Sequence, residues 1–298
     1  MKSQNEIREE ITQQIVDALE DGTLPWRRNW ICDANSGIPA SLSTSVPYRG
    51  INQILLLLAG MKRDFQSRWW GTYNQIQTLG GQVRKGEKGT NVVLYKAVRK
   101  KKSERTGEEK DDVFFMMRTF RVFNAEQADG LERFQIGHSK AEWSDIERFE
   151  HADRVIEATG AEIRHRGNQP CYDTREDVIR LPFPHQFASS EAYYATAFHE
   201  LIHWTEHPTR LDWDRKNEGY AMGELIAELG ACFVLGQLGI ANPGLGNHAA
   251  YLQSWLSEMK KNPRFIFQAS SQASRAAEYI LNFCPMEQER VEETAATA

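Results

Sequence analysis

The chain reads as an α+β protein of two domains, a small antiparallel sheet with helices in the N-terminal part and a mostly helical C-terminal part. Three observations predict this. Residues 91–98 and 114–123 carry apolar, β-branched and aromatic runs separated by a charged stretch, as in a hairpin. Residues 124–140 are punctuated by acids and glycine in the manner of a linker. Beyond them, apolar residues recur at helical spacing over 143–159, 190–207, 220–234, 249–260 and 265–283. The boundaries that follow are a first domain over 1–126, a linker over 127–142, a second domain over 143–286 and a polar, disordered tail over 287–298. A chain of 298 residues has the length for such a pair.

In order, Ile7, Ile11, Ile15, Val16 and Leu19 form the apolar stripe of a first helix, which Gly22 ends. Trp26, Arg27, Arg28 and Trp30 then mix aromatic surface with guanidinium charge, and a Ser/Gly/Pro-rich loop runs to Pro47. A second helix starts after Tyr48-Arg49-Gly50 and stops at Gly60, and a short one surrounds Ile76. Residues 160–164 and 177–182 are strands of the second domain, and the latter runs toward the helix that follows.

That helix carries His199-Glu200-Leu201-Ile202-His203. Ser189 or Ser190 caps it, Glu191 lies in its first turn, and Pro208 stops it. Histidines four apart share one helix face within reach of a single ion, with the glutamate beside the first aimed at the open coordination position. This is the layout of a zinc hydrolase, with Zn2+ or another divalent ion in the site. The third ligand comes from elsewhere. Thr209 and Glu206 stand where a metzincin has its third histidine and its glycine, which excludes that subclass. A later helix carries Glu224 and Glu228. Glu224 suits the ligand of a glutamate-type zincin, and Glu228 an acceptor for a ligand histidine's free N–H, or the two exchange roles. His203-Trp204-Thr205-Glu206-His207 also fits the inverted motif H-x-x-E-H, but at a frayed end beside Pro208. In such enzymes the strand beside the metal helix often rims the substrate cleft and accepts an extended peptide, here residues 177–182.

The formal net charge of -5 excludes a uniformly basic coat, so nucleic-acid binding requires a local patch. The basic tract is 82–102, with Arg84, Lys85, Lys88, Lys96, Arg99 and Lys100 among its cations. With Trp26, Arg27, Arg28, Tyr48, Arg49, Trp69, Trp70 and Tyr73 it supplies rings and cations of the kind that hold single-stranded nucleic acid. The bland alternative is aromatic core and a solubilised hairpin. No apolar run reaches membrane-spanning length, and the charged N-terminus lacks a signal-peptide core, so the expectation is a cytoplasmic protein without membrane contact. The cysteines Cys32, Cys171, Cys232 and Cys284 have no C-x-x-C pairing and suggest neither disulfides nor a thiolate metal site.

Several strings together, Pro25-Trp26, Pro47-Tyr48-Arg49-Gly50-Ile51-Asn52, Trp69 through Gln82 into Lys85-Gly86-Glu87-Lys88-Gly89, Phe120-Arg121-Val122-Phe123-Asn124, Ile179-Arg180-Leu181-Pro182 and the metal helix, carry a resemblance across almost the whole chain. It resembles the ArdC-type antirestriction proteins of conjugative plasmids and the related N-terminal regions of plasmid primases. Gly223 departs from the acid that relatives tend to carry before the ligand glutamate. The resemblance implies an N-terminal single-stranded DNA-binding domain joined to a zincin-like metallopeptidase domain. It also implies protection of incoming plasmid DNA from the recipient's restriction enzymes during conjugation. The mechanism expected is zinc-dependent hydrolysis with Glu200 as catalytic base, acting on a protein substrate in the recipient cell such as a restriction-system component. The rivals are a non-catalytic single-stranded DNA-binding shield, or a primase accessory, with a structural or vestigial metal site.

Overall fold

The computed structural model describes residues 2–27, 33–100, 112–138, 145–213, 219–243 and 248–284, with side chains left out at 96–100, 112–115, 145 and 248–250. Arg28, Cys32 and the hairpin tip at 101–111 lie outside the described residues, as does the tail from 287 onward.

The first helix, α1 (Gln4–Glu20), starts at a capping box: the Ser3 hydroxyl accepts from the Glu6 amide and the Glu6 carboxylate accepts from the Ser3 amide. Its predicted stripe is buried. There follow β1 (Ala40–Ser41), α2 (Ile51–Arg63), β2 (Trp69–Gly71), α3 (Tyr73–Thr78), β3 (Gln82–Val83), β4 (Thr90–Lys100), β5 (Asp112–Asn124) and β6 (Ala128–Asp129). One sheet has the order β1-β2-β5-β4, in which β4 and β5 form a long antiparallel ladder from Thr90↔Val122 to Lys100↔Asp112. Helix α2 continues through Gly60, a buried position where packing outweighs weak helix propensity, and closes on Asp64 in the left-handed region at φ 56.

Residues 127–134 are not linker. Strand β6 pairs antiparallel with β3, and Ala128 and Leu131 fill a small core with Ile76 and Val83. Gln127, fully buried, donates to Glu87 and to the Lys88 carbonyl at 2.9 and 3.1 Å. Of the acids and glycine that resemble linker composition, Asp129 lies in β6 itself, and Glu126, Glu132 and Gly130 belong to the turns around the pair.

The second domain comprises α4 (Asp145–Ala158), β7 (Glu162–His165), β8 (Cys171–Asp173), β9 (Val178–Leu181), α5 (Ser190–Thr205), α6 (Tyr220–Gln237), α7 (His248–Lys261) and α8 (Phe265–Leu281). Its sheet order is β7-β9-β8, with β7 parallel and β8 antiparallel to β9. The strand expected to rim a cleft, residues 177–182, is therefore central: both of its edges are already paired, and β8 is the edge strand that α5 also touches.

The two domains share one hydrophobic core. Ile15, Leu19, Trp26 and Ile54 lie in the same cluster as Phe198, Leu229, Phe233 and Trp255. Helix α1 packs on α7 and α2 on α8. Across the junction Thr12 donates to the Pro263 carbonyl at 2.9 Å and the Gly50 amide to Ser274 Oγ at 2.8 Å. No described helix is long and apolar enough to cross a membrane.

Candidate metal centre

Helix α5 begins where Ser189 Oγ accepts from the Ala192 amide at 3.2 Å, with Glu191 in the first turn favoured by the helix dipole. From Tyr194 through Thr205 it is buried throughout. Helix α6 crosses it closely because Gly230 has no side chain: a Cβ there would stand 2.6 Å from Ile202 Cδ1. This approach brings Glu224, near the start of α6, against the histidine pair.

The ligand atoms of His199, His203 and Glu224 lie within 4.8 Å of one another. His199 Nε2 is 3.5 Å from Glu224 Oε2, and His203 Nε2 is 3.6 Å from Glu224 Oε1. Both spacings are short of the roughly 4.2 Å that an ion bonded at about 2.1 Å on each side can bridge. The donor set fits a divalent cation. A carboxylate whose side chain is 13% exposed faces two imidazole nitrogens, and a buried negative charge in that position calls for positive charge between the three. Burial opposes protonation of His199, but its hydrogen bond to Glu224 and the carboxylates of Glu200, Glu224 and Glu228 outweigh it, so the imidazole is held above its ordinary pKa. Any proton that the imidazole carries must leave when an ion binds.

His203 Nδ1–H donates to Glu206 Oε1 at 3.0 Å, a carboxylate only 5% exposed, which leaves Nε2 free to face Glu224. Glu206 thus takes the orienting part expected of Glu228. The inverted register is not assembled: His207 Nδ1 turns to Thr209 Oγ1 at 2.8 Å, away from the cluster. Glu200 is buried beside His199 and is 6% exposed.

Glu228 is absent from the cluster of three. Its carboxylate, 3% exposed, accepts from Arg27 Nε at 2.8 Å, from Trp26 Nε1 at 3.3 Å and from Cys232 Sγ at 3.9 Å. The N-terminal segment thus engages it one helical turn beyond Glu224. Tyr172, on β8, directs its hydroxyl to Asp177 Oδ1 at 2.7 Å and accepts from Arg210 at 2.9 Å.

The residues read as DNA-binding divide by burial. Trp26 and Trp70 are 2% and 1% exposed, and their rings pack edge-on against Trp255 and Phe65. No ring so placed can stack on a base, and Arg27 is committed to Glu228. Trp69 is half-buried and donates to Asn35 at 2.7 Å, with the Arg68 guanidinium over its ring. Tyr48 is half-buried, and burial raises its phenol pKa. Tyr73, Lys85 and Lys88 are exposed, and Arg84 pairs with Glu87 and Asp129 while remaining exposed. Arg49 is exposed and pairs with Glu278 at 2.9 Å. Arg28 and the side chains of Lys96, Arg99 and Lys100 lie outside the described residues. Four arginines or aromatics that converge elsewhere, Arg8, Tyr95, Arg264 and Arg275, carry no local motif; only the fold brings them together.

Comparison with known proteins bears on both halves. Residues 5–123 match the N-terminal domain of the anti-restriction factor ArdC, and residues 150–272 match the zincin-like metallopeptidase family. Two Escherichia coli proteins, each named DNA primase TraC, are 37% identical over 96% and 98% of this chain, which spans 28% and 21% of their length. The protein y4eC of Sinorhizobium fredii is 32% identical over 92% of this chain and 91% of its own. Among solved structures, metal-free ArdC of the R388 plasmid is 36% identical with a TM-score of 0.78, over 94% of this chain and 99% of that one. The Mn(II)-bound form of the same protein is 35% identical with a TM-score of 0.73 over the same shares, 94% and 99%.

Proposed function

From the premise that this chain belongs to the ArdC antirestriction family, with a zincin-like C-terminal domain, we propose that it binds single-stranded DNA and acts as a divalent-metal peptidase. In the cytoplasm of a recipient cell it would shield incoming plasmid DNA from restriction during conjugation. The observation that carries the enzymatic part is the convergence of His199, His203 and Glu224 with Glu200 buried alongside. A site evolved only to brace the fold has no use for that second carboxylate.

His199 and His203 through Nε2, with one Glu224 oxygen, would hold the ion, and zinc suits two imidazoles and a carboxylate. When bound, the ion supplies an acidified water and a polarised substrate carbonyl. The chain's own residues do the rest. Glu206 keeps His203 in the tautomer whose Nε2 is unprotonated. The Glu200 carboxylate takes the proton of the attacking water and returns it to the departing amine. Because the paired edges of β9 are closed, an extended peptide would add at β8. For DNA, the exposed Tyr73, Lys85 and Lys88 support electrostatic, single-strand-selective binding that weakens steeply with salt.

The test is Glu200→Gln. It is expected to retain the metal and lose hydrolysis by about 10²- to 10⁴-fold. Protection of transferred DNA should fall with it. A variant that still hydrolyses a verified substrate at the wild-type rate refutes the assignment of the base, and unchanged protection favours a shield that works by occupancy.

A further inference from the structure

A cleft of about 630 Å³ opens at the junction of the two domains, between α1, β4 and α8. Four arginines line it: Arg8 from α1, Arg49 ahead of α2, Arg264 at the N-cap of α8, and Arg275 three turns along α8. Among the described residues Glu278 is the one acid in its lining, and it is paired with Arg49. Arg8 meets the amide oxygens of Asn5 and Gln4 at 3.2 and 3.5 Å, and among the described residues Arg264 and Arg275 have no carboxylate partner. Three guanidinium groups therefore face the cleft with no counter-charge. The remaining lining is amide and hydroxyl groups, the buried apolar Ile51, Val93 and Phe267, and one exposed ring, Tyr95, which is 44% exposed on β4. Burial raises the Tyr95 phenol pKa, while a hydrogen bond from Arg8 and the charges of Arg8 and Arg264 oppose the rise.

A cleft that joins arginines lacking carboxylate partners to an accessible ring suits a flexible polyanion with flat faces: phosphates meet the guanidinium forks, and a base stacks on the tyrosine. Duplex DNA, whose bases are already stacked inside, cannot use the ring. We propose that single-stranded DNA runs through this cleft, so that the metallopeptidase domain supplies Arg264 and Arg275 to DNA binding. The inference rests on the single-stranded DNA-binding reading above and departs from it in one respect: the site spans both domains rather than lying within residues 1–126. One bound strand would then tie α1, β4 and α8 together.

The experiment measures fluorescence anisotropy of a labelled thymidine oligonucleotide with the full chain, its Arg264→Ala/Arg275→Ala variant and its Arg264→Lys/Arg275→Lys variant, over a range of salt. The alanine variant should bind roughly tenfold or more weakly, and the slope of log affinity against log salt should fall by about 1.4, the value for two lost phosphate contacts on a single strand. The lysine variant should keep the slope. Tyr95→Leu should weaken the oligonucleotide further without changing the slope, since a lost ring releases no counterions. Matching unfolding midpoints establish that the variants fold. If wild type binds and the alanine variant binds equally well with the same slope, the cleft is not the site, and the DNA-binding reading survives elsewhere. If wild type binds no oligonucleotide, that reading itself fails. Equal competition by an acidic polypeptide would overturn the nucleic-acid assignment of the cleft.

Discussion

Replacing Arg27 with alanine tests the buried junction between the N-terminal segment and α6, the helix that carries Glu224 and Glu228. Glu228 is 3% exposed and its carboxylate accepts from Arg27 Nε at 2.8 Å. Removing one partner of a buried ion pair costs about 3–5 kcal/mol, because the other charge stays behind without compensation. Here the Arg27 side chain is 17% exposed, so water enters where the guanidinium stood, and the Trp26 indole still donates at 3.3 Å. Both moderate the loss, and about 3 kcal/mol is expected. Glu228→Gln in the Arg27→Ala background removes the stranded charge, so the double variant should recover about 1–2 kcal/mol relative to simple addition. Urea unfolding of wild type, both single variants and the double variant at one pH gives all four corners of the cycle. A loss under about 1 kcal/mol, or additivity within about 0.5 kcal/mol, would refute the argument that this pair braces the centre. Oligonucleotide affinity of folded Arg27→Ala should equal wild type, since Arg27 points inward.

Glu206→Gln should lower metal affinity about 10- to 100-fold by weakening the hold on His203 Nδ1–H, as read by competition with a chromogenic chelator; unchanged affinity would mean that the bond does not orient the ligand. Metal affinity should also fall as pH drops. His199 is held above its ordinary pKa, so proton competition sets in at a higher pH than for a free imidazole. The same shift stabilises the metal-free fold. That contribution is complete below the unfolded imidazole value of about 6.5 and is lost as pH rises through the raised folded value. Calorimetric titrations across pH, in buffers of different ionisation enthalpy, should show proton release on binding at neutral pH; none would contradict the shift.

Much of the architecture is written locally. The stripe Ile7, Ile11, Ile15, Leu19 specifies α1, and the alternating apolar runs specify the β4–β5 ribbon, because burial of one face sets each period. The metal helix was equally legible, since His199 and His203 meet on one face by helix geometry alone. What escaped the sequence lies in pairings between distant segments. Trp26-Arg27 has the composition of a solvent-facing nucleic-acid contact, and nothing nearby in sequence announces Glu228, 201 residues from Arg27, as its partner. Residues 127–134 have linker composition, but Ala128 and Leu131 are buried and β6 pairs with β3. For Glu206 a signal existed in its i, i+3 spacing from His203, which reads equally as an inverted motif until His207 is seen to turn away.

The central claim is that one divalent ion is shared by His199, His203 and Glu224. Metal content of the purified full chain by inductively coupled plasma mass spectrometry, after zinc loading and dialysis, measures it directly. Wild type and Glu228→Gln should each retain one ion per chain, and His199→Ala, His203→Ala and Glu224→Ala should retain none. Retention by Glu224→Ala together with loss in Glu228→Gln, or no metal in wild type, would contradict the account.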